Sequence, residues 1–218
     1  MDLNIEIAGL IRSGDNDTLK TLINENPELV DGKTPQGISL LTLAAYCRNQ
    51  YAIDLIASRK QETDLHEAAA IGHLNLVRQY VREAPEMLNS YSTDGFTPLG
   101  LACFFGHYNT AAFLIEAGAD VNLPSGNDFQ VSPIHSACAI SDKPLAELLI
   151  DHGADVNAQQ KSGSTALHSA AHHGQLGLVK YLVEKGASIK IKDADKLTPE
   201  KIAFAKGHDQ IVSYLKGQ

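Results

Sequence analysis

The stretch of sequence that decides the fold is residues 165–189, TALHSAAHHGQLGLVKYLVEKGASI. Thr165 can cap the unpaired N–H groups of a new helix, and the small residues after it permit close helix packing. Gly174 can take the left-handed conformation that ends a helix. The segment from Leu176 to Val183 then carries apolar residues at the spacing of an amphipathic helix. The stretch therefore predicts two short helices joined by a tight turn.

This pattern repeats along the chain at intervals of 33 to 35 residues. Further copies begin as TDLHEA at Thr63, TPLGLA at Thr97, SPIHSA at Ser132 and TPEKIA at Thr198. A weaker copy, SLLTLA, begins at Ser39, only 24 residues before the next. Since one helix pair cannot bury its apolar face alone, a period of this length predicts pairs that stack into a one-dimensional core.

The copies resemble the ankyrin repeat, whose motif contains Thr-Pro-Leu-His-x-Ala and Gly-Ala-Asp-Val-Asn. The second motif occurs unchanged at 118–122 and 153–157. The resemblance covers about Ser39 to Leu215. It implies an all-α ankyrin repeat solenoid of about seven helix-turn-helix units with finger loops and atypical capping units at both ends. We expect a single domain over residues 1–218, with units near 3–33 (N-terminal cap), 34–60 (short), 61–93, 94–127, 128–160, 161–193 and 194–218 (C-terminal cap).

Two segments depart from the regular spacing. The 24-residue unit lacks the turn and finger loop, about ten residues, so we expect a missing finger near residues 58–61. The segment from Asn122 to Val131 is slightly long, which predicts an extended or irregular loop.

Composition narrows the class of protein. Hydrophobic residues make up 44% and charged residues 20% of the chain, which is enough apolar material for a core. The sequence shows neither a membrane-spanning apolar run nor a signal peptide, and its three cysteines lack disulfide or zinc-site spacing. We therefore expect a cytoplasmic protein. The net charge of −8 argues against nucleic acid or a membrane as partner.

The negative charge is concentrated in the middle of the chain. Residues 83–142 contain seven acidic residues and no lysine or arginine. The family resemblance places the finger loops and the ends of the first helices on the binding side, and the same segment puts aromatic residues there. We expect a protein partner with basic and apolar anchors, with a homodimer through the aromatic patch as an alternative. The expected binding residues are Tyr46, Ile71, Asp94, Phe96, Phe104, Phe105, Asp128, Phe129, Ile140 and His172.

Nine histidines raise the alternative of a metal-binding, small-molecule-binding or enzymatic role around His168, His172 and His173. The resemblance instead implies that the motif histidines, such as His168, make hydrogen bonds that tie adjacent units together. The sequence contains no recognisable catalytic motif. We expect a non-enzymatic protein without catalytic residues, metal or cofactor.

Overall fold

The computed structural model describes residues 3–218 and contains fourteen α-helices in that range, arranged as seven consecutive helix-turn-helix pairs. The all-α ankyrin repeat fold expected from the repeat is confirmed, since the β-structure in this range is one isolated bridge between Lys33 and Ser39. The helices are α1 Leu3–Ser13, α2 Asn16–Glu25, α3 Leu40–Tyr46, α4 Gln50–Ala57, α5 Leu65–Ala70, α6 Leu74–Glu83, α7 Pro98–Phe105, α8 Tyr108–Glu116, α9 Pro133–Ala139, α10 Lys143–Asp151, α11 Ala166–His172, α12 Leu176–Glu184, α13 Pro199–Ala205 and α14 Asp209–Lys216. Short 3₁₀ helices follow α2 at Pro27–Asp31 and α6 at Pro85–Asn89.

The repeated motif forms the helix boundaries. The Thr97 hydroxyl accepts a hydrogen bond from the N–H of Gly100, which caps α7. Asp64 and Glu67 form a reciprocal capping box at the start of α5. Gly106 ends α7 with a φ of +77°, a conformation that glycine adopts without a Cβ penalty.

Five finger loops are each closed by a backbone hydrogen bond between their ends. They span residues 34–38, 92–96, 125–131, 160–164 and 193–197. Neighbouring fingers are linked by a further backbone bond, such as Gly126 N–H to Gly95 O at 2.7 Å. Within residues 3–218 no finger lies between α4 and α5, which are joined by residues 58–64 alone. The expected gap at the short unit and the long loop before α9 are both present.

Hydrogen bonds from the repeated histidine and asparagine residues link the stacked pairs. His168 Nε2 lies 3.1 Å from the carbonyl oxygen of Leu197, which lies in the loop that leads into the next pair. The Asn157 side chain donates to Gly186 O at 3.1 Å and accepts from Ser188 N–H at 2.7 Å. The inter-unit role that the resemblance implied for the motif histidines is therefore observed at His168.

The buried core is divided at the short unit. One cluster of buried apolar side chains belongs to the first two helix pairs, and a second runs from α5 to α14 and also includes Ala45 of α3. The partly buried side chains of Ile53 and Ile71 contact both clusters. We call this junction between α3–α4 and α5–α6 the seam, and it coincides with the missing finger.

The last helix pair leaves one large apolar side chain exposed. Phe204 in α13 is 71% exposed, whereas Cys103, its counterpart in α7, is fully buried beneath the next pair. Within the described part of the chain nothing packs over Phe204. No helix in this range combines the length and the apolar character needed to cross a membrane.

Candidate functional site

Four aromatic side chains from two helices and one finger form a single cluster. The ring of Phe104 lies 5.6 Å from that of Tyr46, 5.9 Å from Phe96 and 5.0 Å from Phe105, measured between ring centroids. Phe105 also lies 5.2 Å from Tyr46. We call these four residues the aromatic cluster. Its edge-to-face and tilted contacts are favourable geometries for aromatic rings.

The cluster joins helices that are not neighbours in the stack. Tyr46 ends α3 and Phe104 lies in the last turn of α7, while α5 lies between them. At the corresponding position α5 carries Ala70, whose side chain is too small to separate the rings. The alanine therefore allows the rings of α3 and α7 to meet across α5.

Asp94 anchors the cluster to the finger 92–96. The Tyr46 hydroxyl donates to the Asp94 carboxylate at 2.6 Å, and the Ser92 hydroxyl donates to the other carboxylate oxygen. Burial raises the pKa of Tyr46 above its usual range, and the Asp94 carboxylate raises it further. Tyr46 therefore stays a neutral hydrogen-bond donor at physiological pH.

None of the four phenylalanines expected at the binding surface is fully buried. Phe104 is 37% and Phe129 is 69% exposed, while Phe96 and Phe105 are half-buried. The cluster is therefore partly packed and partly open, and its exposed ring is Phe104.

Three expected binding residues lie apart from the aromatic cluster. Phe129 and Asp128 belong to the next finger, where the Asp128 carboxylate pairs with Lys161 at 3.0 Å. His172 is exposed at the end of α11, with its ring 5.0 Å from that of His173. Among residues 3–218 none of the three makes a ring contact with the cluster. The structure thus groups only the other seven expected residues near α3, α5 and α7.

Ile71 and Ile140 line a cavity next to the cluster. This cavity, of about 330 Å³, lies at the turn end of the seam, and Phe105 belongs to both its wall and the aromatic cluster. Its lining residues are Ala45, Arg48, Gln50, Ile53, Ala70, Ile71, Phe105, His107 and Ile140. Arg48 was not among the expected residues, although it stands where other units have the turn glycine.

A second cavity, of about 460 Å³, lies at the finger end of the seam, where a finger is missing. The flanking fingers meet above it, since a Cβ on Gly37 would lie 2.9 Å from the Thr93 methyl group. Its walls are part polar and part apolar, and the polar part includes Lys33, Lys60, Glu62 and the capping-box pair of α5. Sequence reasoning located the missing finger but not this cavity.

Lys60 links the two sides of this cavity through a buried ion pair. Its ammonium lies 3.2 Å from a Glu67 carboxylate oxygen and 3.3 Å from one of Asp31. Burial by itself would lower the pKa of Lys60, but the carboxylates of Glu67 and Asp31 outweigh burial and raise it. Lys60 is therefore a charged cross-link between the N-terminal pairs and α5.

The histidine alternative is not supported by the geometry of His168. Its Nδ1 faces the N–H and hydroxyl of Thr165, at 3.1 and 2.8 Å, and its Nε2 faces Leu197 O. A metal could bind His168 only by displacing one of these bonds. Within residues 3–218 no group of three or more histidine, cysteine or acidic residues is arranged to hold a metal ion.

Comparison with known families agrees with the architecture. A family model described as ankyrin repeats (3 copies) matches residues 56–125 and 134–218. The chain belongs to the ankyrin repeat family. Another model, described as ankyrin repeats (many copies), matches residues 101–150. Ankyrin repeats generally mediate binding to other proteins.

Similar proteins carry the repeats within longer chains. Ankyrin repeat and SAM domain-containing protein 6 of Mus musculus is 39% identical over 133 residues, which cover 61% of this chain and 11% of that protein. B-cell lymphoma 3 protein of Homo sapiens is 37% identical over 134 residues, covering 60% of this chain and 28% of that protein. Serine/threonine-protein kinase TNNI3K of Mus musculus is 32% identical over 143 residues, which cover 61% of this chain and 17% of that protein. This chain thus spans less than a third of each relative's length.

Proposed function

We propose that this ankyrin repeat protein is a non-enzymatic module that binds a protein partner through the aromatic cluster. It would act as an adaptor, an inhibitor or a sequestering factor. The observation that carries the proposal is the partly exposed Phe104 ring, held in place by three other rings at centroid distances of 5.0 to 5.9 Å. An aromatic anchor fixed before binding loses little conformational entropy when a partner covers it.

The charge around the cluster supports a partner that carries basic side chains. Residues 83–142 contribute seven carboxylates and no lysine or arginine. Asp94 lies next to the rings, but its two carboxylate oxygens already accept bonds from Tyr46 and Ser92. The exposed Glu83, Glu86 and Glu116 are therefore the better candidates for attracting a basic partner at long range.

The thiol chemistry is consistent with a cytoplasmic location, which remains part of the proposal. Cys103 and Cys138 are buried free thiols. Burial raises the pKa of the Cys138 thiol to about 12 and that of Cys103 further. Both are therefore small packing residues rather than nucleophiles.

Site-specific photo-crosslinking tests the proposal. A photoreactive phenylalanine analogue replaces Phe104 in one sample and Phe204 in the control sample, because Phe204 is also exposed but lies in α13. We expect a protein that crosslinks from position 104 and not from position 204. That protein, once purified, should bind Phe104→Ala about 30-fold more weakly than the parent chain, as expected for loss of an interface hot spot.

The matched variant Phe204→Ala should bind that partner as tightly as the parent chain does. Equal affinity of the parent chain and Phe104→Ala would refute the assignment of the aromatic cluster. If the protein that crosslinks from position 104 is a second copy of this chain, the cluster is a homodimer contact, and Phe104→Ala should then shift the sedimentation coefficient to that of a monomer.

A further inference from the structure

In two units, the turn between the two helices supports the packing of the next unit through a histidine. A Cβ on Gly72 would lie 2.5 Å from the His107 ring, and His107 Nε2 is 2.9 Å from Ala70 O. The same arrangement recurs at Gly174, where a Cβ would lie 2.7 Å from the ring of His208. Because glycine has no Cβ, each of these histidine rings can pack against the preceding turn.

Arg48 breaks this arrangement at the seam. It occupies the same turn position with a φ of +52°, a conformation that glycine accepts and arginine rarely adopts. Its Cβ stands where a docked His73 ring would lie by analogy with Gly72 and His107. His73 instead accepts a bond from Leu76 N–H in its own helix at 3.4 Å. Among residues 3–218 no hydrogen bond joins His73 to α3.

The cavity of about 330 Å³, whose walls are part apolar and part polar, lies at this position. Ile53, Ile71, Phe105 and Ile140 supply its apolar walls, while Arg48 supplies its charged edge. The Arg48 guanidinium forms no ion pair or hydrogen bond with any group in residues 3–218. A strained backbone, an unpaired guanidinium and a cavity with apolar walls on one side therefore occur at one place.

We propose that this cavity binds the C-terminal residue of a partner chain, with an apolar side chain against the isoleucines and the terminal carboxylate on Arg48. The volume is within the range of ligand pockets. A guanidinium can hold a carboxylate through two parallel hydrogen bonds. A chain end is the place in a polypeptide where an apolar side chain and a carboxylate belong to the same residue. The inference rests on the proposed protein-binding function and adds the chemistry of one anchor.

Peptide titrations followed by amide NMR test this assignment. The probes are acetyl-Gly-Gly-Phe with a free carboxylate and the same peptide ending in a carboxamide. We expect the peptide with the free carboxylate to shift the backbone amide signals of Ile71, Phe105 and Ile140. The peptide that ends in a carboxamide should bind at least about tenfold more weakly, since it loses a charge-assisted hydrogen bond. Equal affinities of the acid and the amide, or shifts confined to other residues, would overturn the proposal.

Arg48→Gly separates binding from folding. Glycine relieves the positive φ, so this variant should melt at a higher temperature while losing its preference for the acid over the amide. The matched control is Ser141→Gly, which relieves a φ of +68° at the same turn position of another unit. It should also melt higher but keep the preference. If Arg48→Gly retains that preference, Arg48 does not bind the carboxylate.

These variants leave Phe104 unchanged, so the two proposals can fail separately. Loss of partner binding in Phe104→Ala with no acid preference in the peptide titration would retain the aromatic cluster and reject the carboxylate site. Unchanged partner binding in Phe104→Ala, together with a clear preference for the peptide with the free carboxylate, would retain the carboxylate site and reject the aromatic cluster.

Discussion

Replacing Lys60 by methionine is the most direct test of how the seam is held together. Methionine preserves most of the side-chain volume but removes the charge that pairs with Glu67. The side chains of Lys60 and Glu67 are only 9% and 6% exposed, so water from the adjoining cavity can replace the lost partner only in part. The change leaves a carboxylate that is buried and no longer paired with a cation.

The loss of stability in Lys60→Met follows from the two ion pairs that the variant removes, one with Glu67 and one with Asp31. Breaking a buried ion pair by removing one partner costs about 3 to 5 kcal/mol. Glu67 still accepts a bond from the Asp64 N–H at 3.1 Å, which favours the lower end of that range. Asp31 is 60% exposed, so the loss of its ion pair adds little. A cost of about 3 kcal/mol corresponds to a fall in melting temperature of about 6 to 12 °C for a chain of this size.

Thermal unfolding followed by circular dichroism measures this fall, and Lys161→Met is the matched control. Lys161 pairs with Asp128 at 3.0 Å, but the two side chains are 61% and 93% exposed. Its loss should cost less than about 1 kcal/mol. If the two variants melt within a degree or so of one another, the buried pair does not stabilise the seam and the reasoning is wrong.

The same network makes a pH prediction with a definite sign. Because the carboxylates raise the pKa of Lys60 in the folded state, its contribution to stability is complete below the ordinary lysine pKa of 10.5 and is lost at higher pH. The difference in unfolding free energy between the parent chain and Lys60→Met should therefore shrink in strongly alkaline buffer. A constant difference across that range would contradict this assignment of charge.

Three further predictions concern the stacking of the repeats. Gly118→Ala should lower the free energy of unfolding by about 1 kcal/mol from its positive φ alone, because no atom lies within 4 Å of the added Cβ. Gly72→Ala should lower it more, because its added Cβ meets the His107 ring. Urea unfolding of both variants measures the difference. Asn157→Ala removes two inter-unit hydrogen bonds and should cost about 1 to 2 kcal/mol in the same assay, and no loss would contradict their role. Burial lowers the pKa of His135 in the folded chain. Near and below the ordinary histidine pKa of 6.5 the unfolded chain therefore binds more protons than the folded chain, so the free energy of unfolding should fall from about pH 7 to about pH 5. A His135→Gln variant should show a smaller fall.

The helical repeat could be predicted because its signals are local. The capping role of Thr97, the left-handed Gly106 and the apolar spacing of each second helix all act within a few residues. The 24-residue spacing before Thr63 likewise predicted the missing finger, since too few residues remained to form one. These features needed no knowledge of which side chains meet between units.

The candidate site could be predicted only in part. Position in the repeat predicted that Tyr46, Phe96 and Phe104 lie on the same side of the stack, but their contact depends on the small Ala70 between them. Sequence reasoning missed Lys60 and Arg48, although each had a signal. Lys60 lies in the shortened unit, and Arg48 stands at a position that is glycine in five other units.

The sequence by itself therefore determined the all-α repeat fold and the unit that lacks a finger, since these follow from short-range capping, turn and periodicity rules. Only the tertiary structure decided that the core divides at this unit and that two cavities open there. It also decided that the α3 and α7 rings meet across α5. Those features depend on how side chains from units far apart in sequence fill the space between stacked helices. Local patterns carry no information about that space until the stack has formed.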